Sequence, residues 1–103
     1  MENYGLAQIG LCINLKEVAN NVKRLRNWTS DQRDIRLEKA DREITNKALA
    51  VKNLAHRLCY DRAFCRDAGI NYDNINEEDS RLIKAAIADY ILNELEAKVP
   101  EYN

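Results

Sequence analysis

Apolar residues recur along this chain at intervals of three and four, the spacing of one face of an α-helix. Leu11, Leu15, Val18, Val22 and Leu25 follow one another at steps of 4, 3, 4 and 3, and Leu6, Ile9 and Ile13 widen the stripe at its start. The spacing predicts a first helix from about Tyr4 to Asn27, within which Gly5 and Gly10 each cost about 1 kcal/mol relative to alanine. Thr29-Ser30-Asp31-Gln32 then reads as a break and restart, with Thr29 and Gln32 in the positions of a capping box. From Asp31 to Asp67 there is no Gly and no Pro. Leu37, Ile44, Val51, Leu58 and Cys65 mark a seam at intervals of seven, and Ala40, Ala48, Leu54 and Ala55 fill in between. The pattern predicts one long central helix over 31–67, roughly 55 Å at about 1.5 Å per residue.

Gly69 stands where a helix C-terminus wants a left-handed residue. After the linker 70–75, Asn76 is placed to cap a third helix, with Glu77, Glu78 and Asp79 in the first turn, where negative charge complements the dipole. Ile83, Ile87, Tyr90, Ile91, Leu95 and Val99 mark its buried face, and Pro100 closes it. The expected fold is all-α, a three-helix bundle or helical hairpin in one domain spanning 1–103.

Composition agrees with helices. Only 3 Gly and 1 Pro occur, too few to punctuate the turns of a β architecture. No apolar run reaches membrane-spanning length, and Met1-Glu2-Asn3-Tyr4 has no basic region followed by an apolar one. The 3 cysteines, Cys12, Cys59 and Cys65, are odd in number and follow no disulfide framework spacing, which suits a reducing compartment. Cytoplasmic residence is the expectation.

Charge changes the picture more than composition does. The segment 31–43 carries nine charged residues in thirteen and offers only Ile35, Leu37 and Ala40 for burial. It has too little to bury by itself, so it reads either as a solvated helix end or as a surface that a homodimer or a partner covers. Along the chain, 20–66 holds 12 Lys/Arg against 6 Asp/Glu, and 67–103 holds 3 against 9. The simplest consequence is that the acidic third helix packs beside the basic middle. The alternative is that the 20–66 segment meets nucleic acid, although Arg33, Arg36, Lys39, Arg42, Lys47, Lys52 and Arg57 make no single stripe at 100° per residue. Lys23, Arg24 and Arg26 beside Trp28 form the best local basic and aromatic cluster. Leu49, His56, Tyr60 and Phe64 form a second apolar line on the predicted long helix, either core or an aromatic binding patch.

Motifs for chemistry are few. His56 is the only histidine, and Cys59 lies one turn later, but Cys65 points elsewhere on the same helix and structural zinc wants four converging ligands. Nothing marks an orienting group for a Cys59–His56 nucleophile. The 3 glycines form no phosphate-binding loop. The expectation is therefore no cofactor, no metal and no catalysis. The leading reading is a non-enzymatic protein acting by protein–protein interaction, a small inhibitor or adaptor of the kind found in phages and mobile elements. Arg33, Arg36, Tyr60 and Phe64 are its candidate partner-binding residues. A nucleic-acid-associated regulator and a small helical enzyme are the alternatives.

Overall fold

The computed structural model describes residues 3–6, 11–43 and 47–98, with side chains described for 13–43, 51–94 and 96. The fold is all-α apart from a short hairpin. Strand β1 (Asn3–Leu6) pairs antiparallel with β2 (Leu11–Asn14), Asn3 opposite Asn14 and Leu6 opposite Leu11. Among the described residues five α-helices follow: α1 (Leu15–Leu25), α2 (Ser30–Glu43), α3 (Lys47–Leu58), α4 (Arg62–Ala68) and α5 (Glu77–Lys98). A short 3₁₀ turn at Tyr72–Asn74 lies between the last two. No described helix is long and apolar enough to cross a membrane.

The first expected helix is shorter than its apolar spacing suggested. Asn14 is extended, and its side chain accepts from the backbone N–H of Lys16 (3.0 Å) and Glu17 (3.4 Å). It thereby satisfies donors that every helix start leaves open. Upstream, Gly5 makes helix continuation costly and stands in β1 opposite Cys12; Gly10 lies outside the described residues. Within α1 the stripe holds, since Leu15, Val18, Val22 and Leu25 are all buried. The side chains of Leu6 and Leu11 are not among those described.

The single helix over 31–67 is also corrected. Beyond α3, Asp61 turns extended (φ −100°) and accepts from the Phe64 N–H at 3.0 Å, so α4 begins afresh at Arg62. A short acid that binds backbone amides favours a cap over a helix interior. The seven-residue seam survives this turn: Val51, Leu58 and Cys65 are buried and Leu37 is half-buried. Ile44 lies outside the described residues. Other boundaries fall where the sequence placed them. Thr29 and Gln32 exchange capping bonds (2.9 and 3.1 Å) ahead of α2. Asn76 and Asp79 do the same for α5 (2.8 and 3.3 Å). Gly69, at φ 75°, ends α4.

The central helix is α5, not the 31–67 segment. Its run Leu82–Leu92 is buried at every position but Lys84, because apolar residues there occupy all sides of the helix. Helices α1, α2 and α3 pack around it. Helix α2, by contrast, buries only Ala40 fully and packs as an outer layer. The Tyr90 hydroxyl accepts from the Asn14 N–H (3.2 Å) and ties the hairpin to this axis. The radius of gyration is 13.2 Å.

Candidate functional site

The packing of α2 decides where two of the candidate residues go. Its apolar contribution is slight: Ala40 is buried, Leu37 half-buried, and Ile35 is 61% exposed. Arg33, Arg36 and Lys39, three residues apart, instead turn to α5. Arg33 donates to the carbonyls of Leu25 (3.0 Å) and Trp28 (3.1 Å) and to Glu78 Oε2 (2.7 Å). Arg36 donates through Nε to Asp89 Oδ1 (2.6 Å) and through a terminal nitrogen to Asn93 Oδ1 (2.9 Å). Lys39 reaches Glu96 at 3.1 Å.

Asp89 is the hub of this contact, with its side chain 3% exposed. Its Oδ2 accepts from Asn21 Nδ2 (3.1 Å), from Asn93 Nδ2 (3.1 Å) and from the Arg24 guanidinium. Asn21 also donates to the Ala86 carbonyl (2.9 Å) and accepts from Arg24 Nε (2.9 Å). Charge removed from water must be repaid by close partners, and here two guanidiniums and two amides converge on one carboxylate. With four side chains donating to its carboxylate, the hub joins α1, α2 and α5 as a structural junction. Asn21 and Asp89 were not singled out from the sequence. A signal existed: in Leu82–Leu92 the only charged residues are Lys84 and Asp89, and Asn21 sits on the apolar stripe of α1.

The remaining candidates separate. Phe64 is 3% exposed and belongs to the core, whereas Tyr60 is 69% exposed in the turn after α3. The structure therefore brings Arg33 and Arg36 together on α5, leaves Tyr60 on the surface and encloses Phe64. The second apolar line is thus split, with His56 exposed as well; the Leu49 side chain is not among those described. The basic cluster near Trp28 is also engaged, with Arg24 over the indole ring (5.2 Å) and Arg26 donating to the Gly69 carbonyl (2.8 Å).

Beside Tyr60 lies an open cleft of about 280 Å³ between α3 and α5, lined by Lys52, Asn53, His56, Cys59, Ser80 and Lys84. The α3 residues share one face at spacings of three and four. His56 and Tyr60 meet edge to face with centroids 5.2 Å apart. Burial holds the Cys59 thiol above its ordinary value, outweighing the Ser80 hydrogen bond and the Lys84 charge that draw it down. A thiol kept protonated is a poor nucleophile. A second open cleft, about 460 Å³, is lined by Lys16, Asn20, Lys23, Arg66 and Asp67 on α1 and α4. Among the described residues no group of three or more His, Cys, Asp or Glu is placed to hold a metal ion. Comparison with family models, curated proteins and solved structures finds no match, so function rests on this geometry.

Proposed function

We propose that this chain is a non-enzymatic helical module that works by binding another protein, and that the binding surface centres on Tyr60. The observation that carries the reading is the exposure of Tyr60 at 69%, braced by His56 at the rim of the α3–α5 cleft. An aromatic ring held in place at the surface is an anchor of the type that dominates protein interfaces. The polar groups of Asp89, Arg36 and Asn21, by contrast, are committed to each other. The test is a photo-crosslinking residue at Tyr60, introduced in cells that express the protein. The expected result is one dominant protein adduct, with complex formation reduced at least tenfold by Tyr60→Ala, the ordinary scale for loss of an anchor. Retention of the same partner by Tyr60→Ala ends the proposal.

The reading includes self-association through the outer face of α2, where Ile35 is 61% exposed. Sedimentation of the native chain and of Ile35→Glu tests this, and an 11.9 kDa monomer for both removes it. A nucleic-acid regulator is the second reading, favoured by Lys16, Lys23 and Arg66 around the α1–α4 cleft. It requires binding that falls linearly in log K against log salt. Arg24, Arg33, Arg36 and Lys39 are already paired with α5 acids, which leaves less of the 20–66 charge for phosphates.

A further inference from the structure

Cations of this chain divide into those that α5 neutralises and those it does not. Arg24, Arg33, Arg36 and Lys39 each reach a carboxylate on α5. Lys52 and Lys84 have no ion-pair partner among the described residues, yet they line the same 280 Å³ cleft. Around them stand the His56 imidazole, the Asn53 amide and the Ser80 hydroxyl, all able to donate a hydrogen bond, and among the described residues no carboxylate lines the cleft. Asp79, which acts electrostatically on Cys59, is turned to the Asn76 N–H as part of the α5 cap.

We propose that the Lys52–His56–Lys84 cleft receives an acidic side chain, Asp or Glu, of a partner protein whose neighbouring apolar surface rests on Tyr60. This rests on the protein-binding reading above and assigns that partner its chemistry. Three observations select the occupant. At about 280 Å³ the open cleft stands at the bottom of the roughly 300–1,000 Å³ range of small-molecule pockets, a size that one or two side chains fill. Two lysines can neutralise about two charges, whereas tracking a nucleic-acid backbone calls for a longer stripe. The edge-to-face contact with His56 holds the exposed Tyr60 ring at the rim, where a partner's apolar surface can cover it.

The test titrates the isotopically labelled full chain, followed by NMR, with three probes: a capped oligoglutamate peptide, inorganic phosphate and an oligothymidylate. Oligoglutamate is expected to shift the amides of 52–60 and 80–84 saturably. Lys52→Glu with Lys84→Glu is expected to weaken this by about tenfold or more, and Lys52→Gln with Lys84→Gln by less. Lys16→Glu with Lys23→Glu, in the other cleft, should leave it unchanged. Equal affinity in the Lys52/Lys84 variants overturns the proposal, as do shifts centred on α1 and α4. Binding of phosphate or oligothymidylate as tight as that of the peptide also overturns it. Cleft binding of oligoglutamate without a Tyr60-dependent protein adduct leaves the carboxylate site standing and removes the protein-binding reading. A Tyr60-dependent partner indifferent to Lys52 and Lys84 does the reverse.

Discussion

Asp89 shows how one side chain can hold three helices. Its carboxylate is 3% exposed and accepts from Asn21, Arg24, Arg36 and Asn93, which come from α1, α2 and α5. Removing one partner of such a buried pair costs more than the pair's net contribution, since the charges left behind keep their desolvation penalty. Asp89→Ala is expected to destabilise the fold by about 3–5 kcal/mol, read from the urea midpoint. A loss below about 1 kcal/mol would mean that Arg24 and Arg36 find water instead. The cysteines make a second point at this scale. Cys65 is fully buried, and burial raises its thiol pKa, with Cys59 and two acids adding to the effect. Cys59 is raised as well, again by burial, but is only half-buried. Iodoacetamide at neutral pH should therefore modify Cys59 well before Cys65, both more slowly than a free thiol, as mass spectrometry of the native protein can show.

Among the elements, α2 is held differently from the others. Helices α1 and α5 pack together and both contribute fully buried apolar side chains, Val18, Val22 and Leu25 from one and Ile83 and Ile87 from the other, whereas α2 is attached largely through charge. This attachment responds to acid. The hydrogen bond from Lys39, and then Arg36, hold the Glu96 carboxyl below its usual range. A depressed folded pKa contributes stability that is fully present above the unfolded value, about 4.3 for a glutamate. That contribution disappears as pH falls through the lower folded value. Glu96 is 48% exposed, so salt screens the effect and its size is small. Following the Glu96 carboxyl by NMR should show titration below the ordinary glutamate range, returning upward in Lys39→Ala. An unchanged titration in that variant would remove Lys39 as the cause.

For the whole molecule, α5 is the axis on which the other layers depend. Ile87, fully buried in a helix covered by α1, α2 and α3, is expected to cost about 2–5 kcal/mol when cut to alanine. Ile35→Ala on the outer face of α2 should change the urea midpoint little at concentrations where the chain is monomeric. Equal effects would mean that α2's outer face is covered too. The sequence argument for a second molecule was that 31–43, with only Ile35, Leu37 and Ala40, had too little to bury. Within one chain, α5 supplies it with carboxylates instead of apolar surface.

Much of this protein is written in local pattern. The caps at Thr29, Gly69 and Asn76, the α1 stripe and the opposite charges of 20–66 and 67–103 all follow from interactions spanning a few residues or from composition. These were legible because capping and periodicity act within one or two turns. The hairpin before α1 and the break at Asp61 were not, since each turns on a side chain choosing a backbone amide over a helical place. The all-round apolar run Leu82–Leu92 already marked α5 as a helix to be enclosed, and tertiary structure decided which neighbours enclose it. It also divided the candidate residues, sending Arg33 and Arg36 to α5 and Phe64 inward while leaving Tyr60 exposed against His56 of the α3–α5 cleft. Pairing and exposure are relations between distant segments, and no spacing within one segment encodes them.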